Sequence, residues 1–148
     1  MQLSGAYTFN APVAKVWTAL TDPKALSNCI PGCESMEATG NNEYKATVRF
    51  ALGPISGRYN ATISMSEMSP NRSFRLTIKA NGPMGFADGH ADMTLQETGG
   101  DSGAQTRVTV EADSQVGGAA ARVGQRLMGS VAKTTMDRFF SCLQEQIE

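Results

Sequence analysis

The sequence predicts an α+β domain in which an antiparallel sheet lies against one long C-terminal helix. Through the middle of the chain, apolar residues alternate with polar ones, which is typical of strands buried on one side. Turn signals interrupt this alternation every 8 to 18 residues without a helical pattern between them, which favours a meander over βαβ units. From residue 117 onward the apolar residues recur three or four apart, as in an amphipathic helix.

The N-terminal region predicts one strand and two short helices. Residues 3–9 alternate weakly, and Asn10 can cap a following helix that carries Trp17 on its apolar face. Asp22-Pro23 predicts a second helix, because proline has no N–H to lose in a first turn and Asp22 can accept a hydrogen bond from a free donor. Pro31-Gly32 ends this segment and releases the chain into extended structure.

The remaining strands follow from the two-residue period and from the turns between them. Every second residue is predicted to face inward in the ranges Tyr44–Leu52, Tyr59–Met65, Phe74–Ala80, Ala91–Leu95 and Val108–Ala112. The predicted turns are Gly53-Pro54, Ser69-Pro70-Asn71, Asn81-Gly82-Pro83 and the run from Gly99 to Gly103.

The terminal helix is rich in glycine at its start. Gly117, Gly118, Gly124 and Gly129 each cost a helix about 1 kcal/mol relative to alanine. Close backbone approach or retained internal space would explain them. The blander explanation is that the first two belong to a loop and the others only accommodate packing.

The overall composition indicates one domain spanning residues 1–148. A net charge of -1 gives no general attraction to nucleic acid, and neither a secretory signal nor a membrane-spanning run is evident. Three cysteines are an odd number, which fits a reducing compartment better than a disulfide framework. We therefore expect a cytoplasmic protein.

Reactive side chains form no recognisable catalytic or metal-binding set. His90 shares the outward parity of a strand with Asp88 and Asp92, but such neighbours are ~6.6 Å apart, too far to share a zinc ion without other strands. Cys29 and Cys33 have C-x3-C spacing and no histidine on their side of the sheet, so we expect buried thiols, although pairing across Pro31-Gly32 remains an alternative. No catalytic residue, metal or cofactor is predicted.

The apolar residues between sheet and helix are the remaining candidates for a site. Such a set is often only a core, but a curved sheet around one helix tends to leave a lined cavity, and methionine adapts to variable guests. The predicted lining residues are Trp17, Leu26, Ile30, Phe50, Tyr59, Ile63, Phe74, Leu76, Met93, Val110, Val123, Leu127, Met128 and Val131. Leu26 and Ile30 would form a lid on the second short helix.

Charge is unevenly distributed over the predicted outer face of the sheet. Three successive strands carry Lys45, Arg49, Arg58, Arg75 and Lys79, and the last two carry Asp88, Asp92, Glu111 and Asp113. The simplest explanation of such a face is that its charges keep the protein soluble. The more specific alternative is that the face docks to an acidic protein or an anionic lipid surface.

Several short motifs, taken in order, resemble the CoxG family of carbon monoxide dehydrogenase subunits, within the START and birch-pollen-allergen-like (SRPBCC) helix-grip superfamily. These motifs are Asp22-Pro23 with Leu26, Cys29-Ile30-Pro31-Gly32-Cys33, Gly53-Pro54-Ile55-Ser56-Gly57, Gly82-Pro83-Met84-Gly85-Phe86, and Val116-Gly117-Gly118 with Val123-Gly124. The resemblance implies a seven-stranded antiparallel sheet wrapped around the long C-terminal helix, with two short helices between strands 1 and 2.

The resemblance also implies a function. Members of the family resemble non-catalytic accessories that link a molybdenum-containing hydroxylase to the membrane and its quinone pool. The expected ligand is then an apolar quinone or lipid, and the expected partners are the hydroxylase subunits and, weakly, the inner face of the plasma membrane. A polyketide cyclase or aromatase working in the same cavity, or an assembly partner with a vestigial cavity, are the alternatives.

Overall fold

The described part of the protein consists of one antiparallel sheet and three α-helices. The computed structural model describes residues 1–50, 56–100 and 103–147. The strands are β1 (Gln2–Phe9), β2 (Cys33–Gly40), β3 (Glu43–Phe50), β4 (Gly57–Ser69), β5 (Ser73–Gly82), β6 (Gly85–Gly100) and β7 (Gly103–Gly117). The helices are α1 (Val13–Thr21), α2 (Pro23–Cys29) and α3 (Gln125–Ile147), with a 3-10 helix over Gly118–Val123. Of the predicted turns, the one at Gly53-Pro54 lies outside the described residues, and so do residues 101 and 102 of the run from Gly99 to Gly103.

All seven strands form one antiparallel sheet in the order β1-β7-β6-β5-β4-β3-β2. The register places alternate residues of neighbouring strands side by side, so that Ile63, Ile78, Gly89 and Ser114 form one row across the inner face. Because β1 and β2 are the two edges of the sheet, the chain between them crosses through α1 and α2. The predicted helix-grip fold, with two short helices between the first strands, is confirmed.

The short helices begin and end as the local sequence indicates. Asp22 accepts a hydrogen bond from the Lys24 backbone N–H at 3.1 Å, and Pro23 occupies the first turn of α2. Gly32 then has a φ of 80°, and the Arg49 N–H donates to its carbonyl at 2.8 Å. A side chain at this position would overlap the Arg49 carbonyl, so only glycine fits the joint.

The long helix begins later than its periodicity suggests. Gly117 ends β7, the 3-10 helix occupies the next six residues, and Gly124 has a φ of 96° before α3 begins at Gln125. The glycines therefore lie mostly before the helix and provide left-handed or closely packed backbone there. Only Gly129 of the four lies inside α3.

The expected buried thiol at Cys29 was a wrong prediction, because the structure joins Cys29 to Cys142 in a disulfide across 113 residues of sequence. Cys33 is the free cysteine among the described residues. Its half-buried thiol donates to the Ser35 carbonyl at 3.4 Å and does not pair with Cys29. The odd number of cysteines could not reveal this pairing, because only the packing of α2 on α3 brings the two residues together.

Candidate functional site

The best candidate site is the incompletely covered part of the inner sheet face. Ile78 points to that face in register with the buried Ile63, yet 38% of its surface is exposed. Further along the same strand, Phe74 and Leu76 are buried. Residues of equal parity face the same side of the sheet. The part of the inner face that is buried by other elements therefore ends between Leu76 and Ile78.

Small side chains surround Ile78 on the neighbouring strands. Gly89 lies beside it on β6, Ser114 follows on β7, and Ala80 and Ala87 form the next row. All four are half-buried, although they lie in the middle strands of the sheet. Small residues facing the helix leave space between sheet and helix that larger side chains would fill.

The C-terminal half of α3 closes the opposite part of the molecule. Phe140, Leu143 and Ile147 are buried in the core, and Cys142 is joined to Cys29 on α2. Toward β1, the Gln144 side-chain amide donates to the Thr8 carbonyl at 2.8 Å. In the N-terminal half of α3, none of the described side chains is buried.

A polar clasp fixes α3 to the edge strand. The Tyr7 hydroxyl donates to Asp137 at 2.6 Å, Lys133 donates to the same oxygen at 2.9 Å, and the Tyr7 ring stacks on Phe140. Burial, with the hydrogen bond to Asp137, raises the pKa of Tyr7, whereas the hydrogen bonds from Tyr7 and Lys133 lower the pKa of Asp137. These hydrogen bonds hold α3 against β1. Each of the three polar side chains has its hydrogen-bond partner within the protein and needs none from a substrate.

Met128 and Val131, two of the predicted lining residues on α3, are both half-buried. At 100° per residue, Met128 lies about 60° around the helix from the buried Leu143, on its inward side, whereas Val131 lies about 120° from Leu143, at the margin of that side. The side chain of Val123 lies outside the described residues.

Leu127 has a different position. It is 44% exposed and lies in line with the exposed Thr134, Arg138 and Glu145, so it projects from the solvent side of α3. The prediction assumed that residues repeatedly spaced four apart all lie on one face of the helix. Each such step turns about 40° around a helix, so the four steps from Leu143 back to Leu127 add up to about 160°.

The other predicted lining residues occupy the core or its margins. Ile63, Phe74, Leu76, Met93 and Val110 are buried on the inner sheet face, and Trp17 meets Phe74 edge to face at 5.4 Å. Leu26, predicted as a lid, is only 2% exposed in the core, with Ile30 packed beside it. Leu26 lies on α2, which the Cys29–Cys142 disulfide joins to the C-terminal half of α3.

Two aromatic residues, Phe50 on β3 and Tyr59 on β4, lie next to each other on the inner face. Phe50 and Tyr59 pack edge to face at 5.7 Å, and the Tyr59 ring covers the backbone of Gly82, where any side chain would overlap it. Burial raises the pKa of Tyr59. Tyr59 is thus held in place by a glycine on the next strand.

Ile78, Ala80, Ala87, Gly89 and Ser114 are absent from the predicted lining set. Their parity placed them on the inner face, but nothing in the alternation distinguishes a covered inward residue from an uncovered one. The small size of four of them was the available signal.

The outer sheet face carries a separate polar groove of about 380 Å³, lined by Gln2, Leu3, Ser4, His90, Asp92, Glu111, Ala112 and Asp113. Within the described ranges no group of three or more His, Cys, Asp or Glu side chains has the arrangement to hold a metal ion. Arg75 pairs with Asp92 at 2.8 Å and lowers its pKa, so part of this acidity is already neutralised. An open, polar groove does not suit an apolar guest.

The outer-face charges are arranged as predicted, but many of them neutralise each other. Basic strands β3 to β5 lie beside the acidic strands β6 and β7, and Arg75 bridges the boundary between them. Arg58 pairs with Glu34 at 2.6 Å. This face therefore offers less free positive charge than its sequence suggests.

The fold defines the class of protein: a START-like helix-grip domain, here with a partly open inner sheet face. The family model for CoxG, the G-type subunit of carbon monoxide dehydrogenase, matches residues 5–148, so the chain belongs to this family. The family and the fold together indicate a ligand-binding accessory protein. No helix in the described ranges has the length and apolar character needed to cross a membrane.

Solved structures share the fold. A conserved protein from Geobacillus kaustophilus is 32% identical with a TM-score of 0.93, and the match covers 99% of this chain and 95% of that one. A START superfamily protein from Mycobacterium smegmatis is 13% identical with a TM-score of 0.75, covering 99% and 96%. Ara h 8.0201 is 15% identical with a TM-score of 0.67, covering 99% and 97%. A search of curated proteins finds no significant match.

Proposed function

We propose that this protein is a non-catalytic accessory of a molybdenum-containing, carbon monoxide dehydrogenase-type hydroxylase. It holds an apolar ligand, a quinone or a lipid, between the sheet and the N-terminal half of α3, and it links the enzyme to the inner face of the plasma membrane. The observation that carries the ligand-binding part is the exposure of Ile78 on the inner sheet face. The hydroxylase as partner is supported by the family membership.

The chemistry around Ile78 suits an apolar guest. On one side of Ile78 the cross-strand neighbours are Gly89 and then Ser114, on the other side is the apolar Ile63, and Ala80 and Ala87 lie in the next row. Burying apolar surface contributes about 25 cal/mol per Å², so a guest of this kind gains affinity without a charged partner. His90 lies on the opposite face, in register with Asp113.

A pair of tryptophan variants tests ligand binding. Ile78→Trp fills the proposed space, whereas Thr77→Trp adds the same side chain to the outer face one residue earlier. Both proteins, and the unchanged protein, are purified from the native host and analysed by native mass spectrometry followed by solvent extraction. We expect a bound quinone or lipid in the unchanged protein and in Thr77→Trp, and its loss in Ile78→Trp. Protein that is always empty and takes up no added quinone contradicts the proposal.

The same variants separate ligand binding from assembly. Pull-down of the hydroxylase by the unchanged protein tests the partner directly, and recovery by Ile78→Trp shows whether the partner needs a filled cavity. Turnover of a polyketide-type substrate that is lost in Tyr59→Phe would instead favour the cyclase alternative.

A further inference from the structure

The second short helix, α2, is held against the protein by apolar packing and by one covalent bond. Ala25, Leu26 and Cys29 are its buried residues. Its hydrogen-bonded turns close within the segment 22–33, and none of the ion pairs found between described residues involves it. Elements with few buried contacts open more readily than the core of a sheet does. The disulfide from Cys29 to Cys142, which joins α2 to α3, is therefore important for keeping α2 in place.

The chain on both sides of α2 is suited to act as a hinge. Asp22 before the helix and Ile30 after it both have extended backbone. Beyond Ile30, Gly32 is attached to the sheet, because the Arg49 N–H donates to its carbonyl at 2.8 Å. Hinges are typically a few residues at the ends of elements that absorb a change in φ and ψ. The helix can therefore turn as one short unit while the strands on either side keep their positions.

The two sulfur atoms of the disulfide differ in accessibility. Cys29 is 3% exposed, whereas Cys142 is half-buried on α3. A reducing thiolate from solution therefore reaches the Cys142 sulfur more easily than the Cys29 sulfur. Disulfides that solvent reaches are more readily reduced than those enclosed in a core, and they are the ones that serve regulation.

We propose that the Cys29–Cys142 disulfide is a redox-sensitive lock that keeps α2 closed over the core. The reductant is a dithiol, whose first thiolate attacks the Cys142 sulfur, forms a mixed disulfide and releases Cys29 as a thiolate that takes up a proton. The second thiol of the reductant then displaces Cys142 as a thiol. Two electrons and two protons pass to the protein, and the reductant becomes a disulfide. Without its bond to α3, α2 opens about its hinges and exposes Leu26 and Cys29.

The lock itself stands on the disulfide and on the burial of α2, whereas its effect on a ligand rests on the proposed function. Leu26 and Cys29 belong to the same core cluster as Phe74 and Met93 of the inner sheet face. An open α2 therefore gives an apolar ligand a way to the interior. Reduction should then speed the exchange of such a ligand.

Hydrogen exchange, measured by mass spectrometry, tests the lock. The full chain is compared in its oxidised form and after treatment with dithiothreitol in native buffer. We expect the disulfide to be reduced without denaturant. Reduction should accelerate exchange of the amides of residues 26–30 at least about tenfold more than that of residues 106–112 on β7, because a local opening exposes α2 and leaves the sheet closed.

Two variants serve as matched comparisons. Cys142→Ser removes the lock, so its α2 amides should exchange like those of the reduced protein both with and without dithiothreitol. Cys33→Ser removes the free thiol and keeps the lock, so it should respond to dithiothreitol as the unchanged protein does. The proposal is overturned if the disulfide is reduced only in denaturant, if reduction leaves exchange on α2 unchanged, or if α2 and β7 are accelerated equally. Equal acceleration would mean that the bond is a purely structural crosslink.

Uptake of the apolar dye Nile red, followed by its fluorescence, keeps the lock distinguishable from the proposed function. We expect uptake by both forms, about tenfold faster by the reduced protein, because opening of a lid then limits the rate less. A dye that neither form binds contradicts the proposed ligand binding, and the exchange data still decide the lock. Uptake at equal rates, with α2 amides that respond to reduction, supports the lock and contradicts its effect on the ligand.

Discussion

Breaking the Cys29–Cys142 disulfide should destabilise the protein substantially, because it closes a loop of 113 residues. Chain entropy for a loop of that length amounts to roughly 5 kcal/mol, and measured losses are typically about 2–4 kcal/mol. Each kcal/mol corresponds to about 3 °C of Tm for a chain of this size. We therefore expect Cys142→Ser to lower Tm by about 6–12 °C.

The assay is thermal unfolding of the oxidised protein, of the same protein with excess reductant, and of two variants. Cys142→Ser should unfold like the reduced protein and show no further response to reductant. Cys33→Ser is the matched control, since Cys33 is a free thiol, and it should stay within about 0.5 kcal/mol of the unchanged protein. Thiol titration in denaturant without reductant should find one free thiol. Three free thiols, or equal Tm values with and without reductant, would refute the reasoning.

Three further predictions concern the joint, the clasp and the glycine under Tyr59. Gly32→Ala should cost at least about 3 kcal/mol in urea unfolding, because its φ is 80° and a side chain would overlap the Arg49 carbonyl, whereas Gly40→Ala, with nothing within 4 Å, should be nearly neutral. Because the folded-state pKa of Asp137 is lowered, its stabilising effect is present at neutral pH and is lost as pH falls through that pKa. The difference in unfolding free energy between the unchanged protein and Asp137→Asn should therefore vanish in acid. A difference that does not change with pH would contradict the clasp. Gly82→Ala should displace the Tyr59 ring, seen as a changed tyrosine signal in near-UV circular dichroism, and Gly99→Ala, with open space around it, serves as its control.

The sequence alone was sufficient to predict the helices and strands and much of the topology. The two-residue alternation in β3 to β7 and the Asp22-Pro23 cap each reflect a local preference, so they could be read without a structure. The family motifs then supplied the strand count and the wrapping of the sheet around α3. In contrast, α3 starts late because a 3-10 helix and the left-handed Gly124 come before it, and the apolar periodicity marks neither of them.

Tertiary packing alone determined the disulfide, the position of Leu127 and the open part of the inner face. Cys29 and Cys142 meet only because α2 packs on the end of α3. Leu127 has the spacing of a core residue, but rotation accumulated along the helix turns it to solvent. Ile78 has the same parity and residue type as the buried Ile63, yet one is covered and the other is not. The sequence determines which face of a strand is apolar, because that is a local and repeating property. Whether an inward residue is buried depends instead on where elements distant in sequence pack.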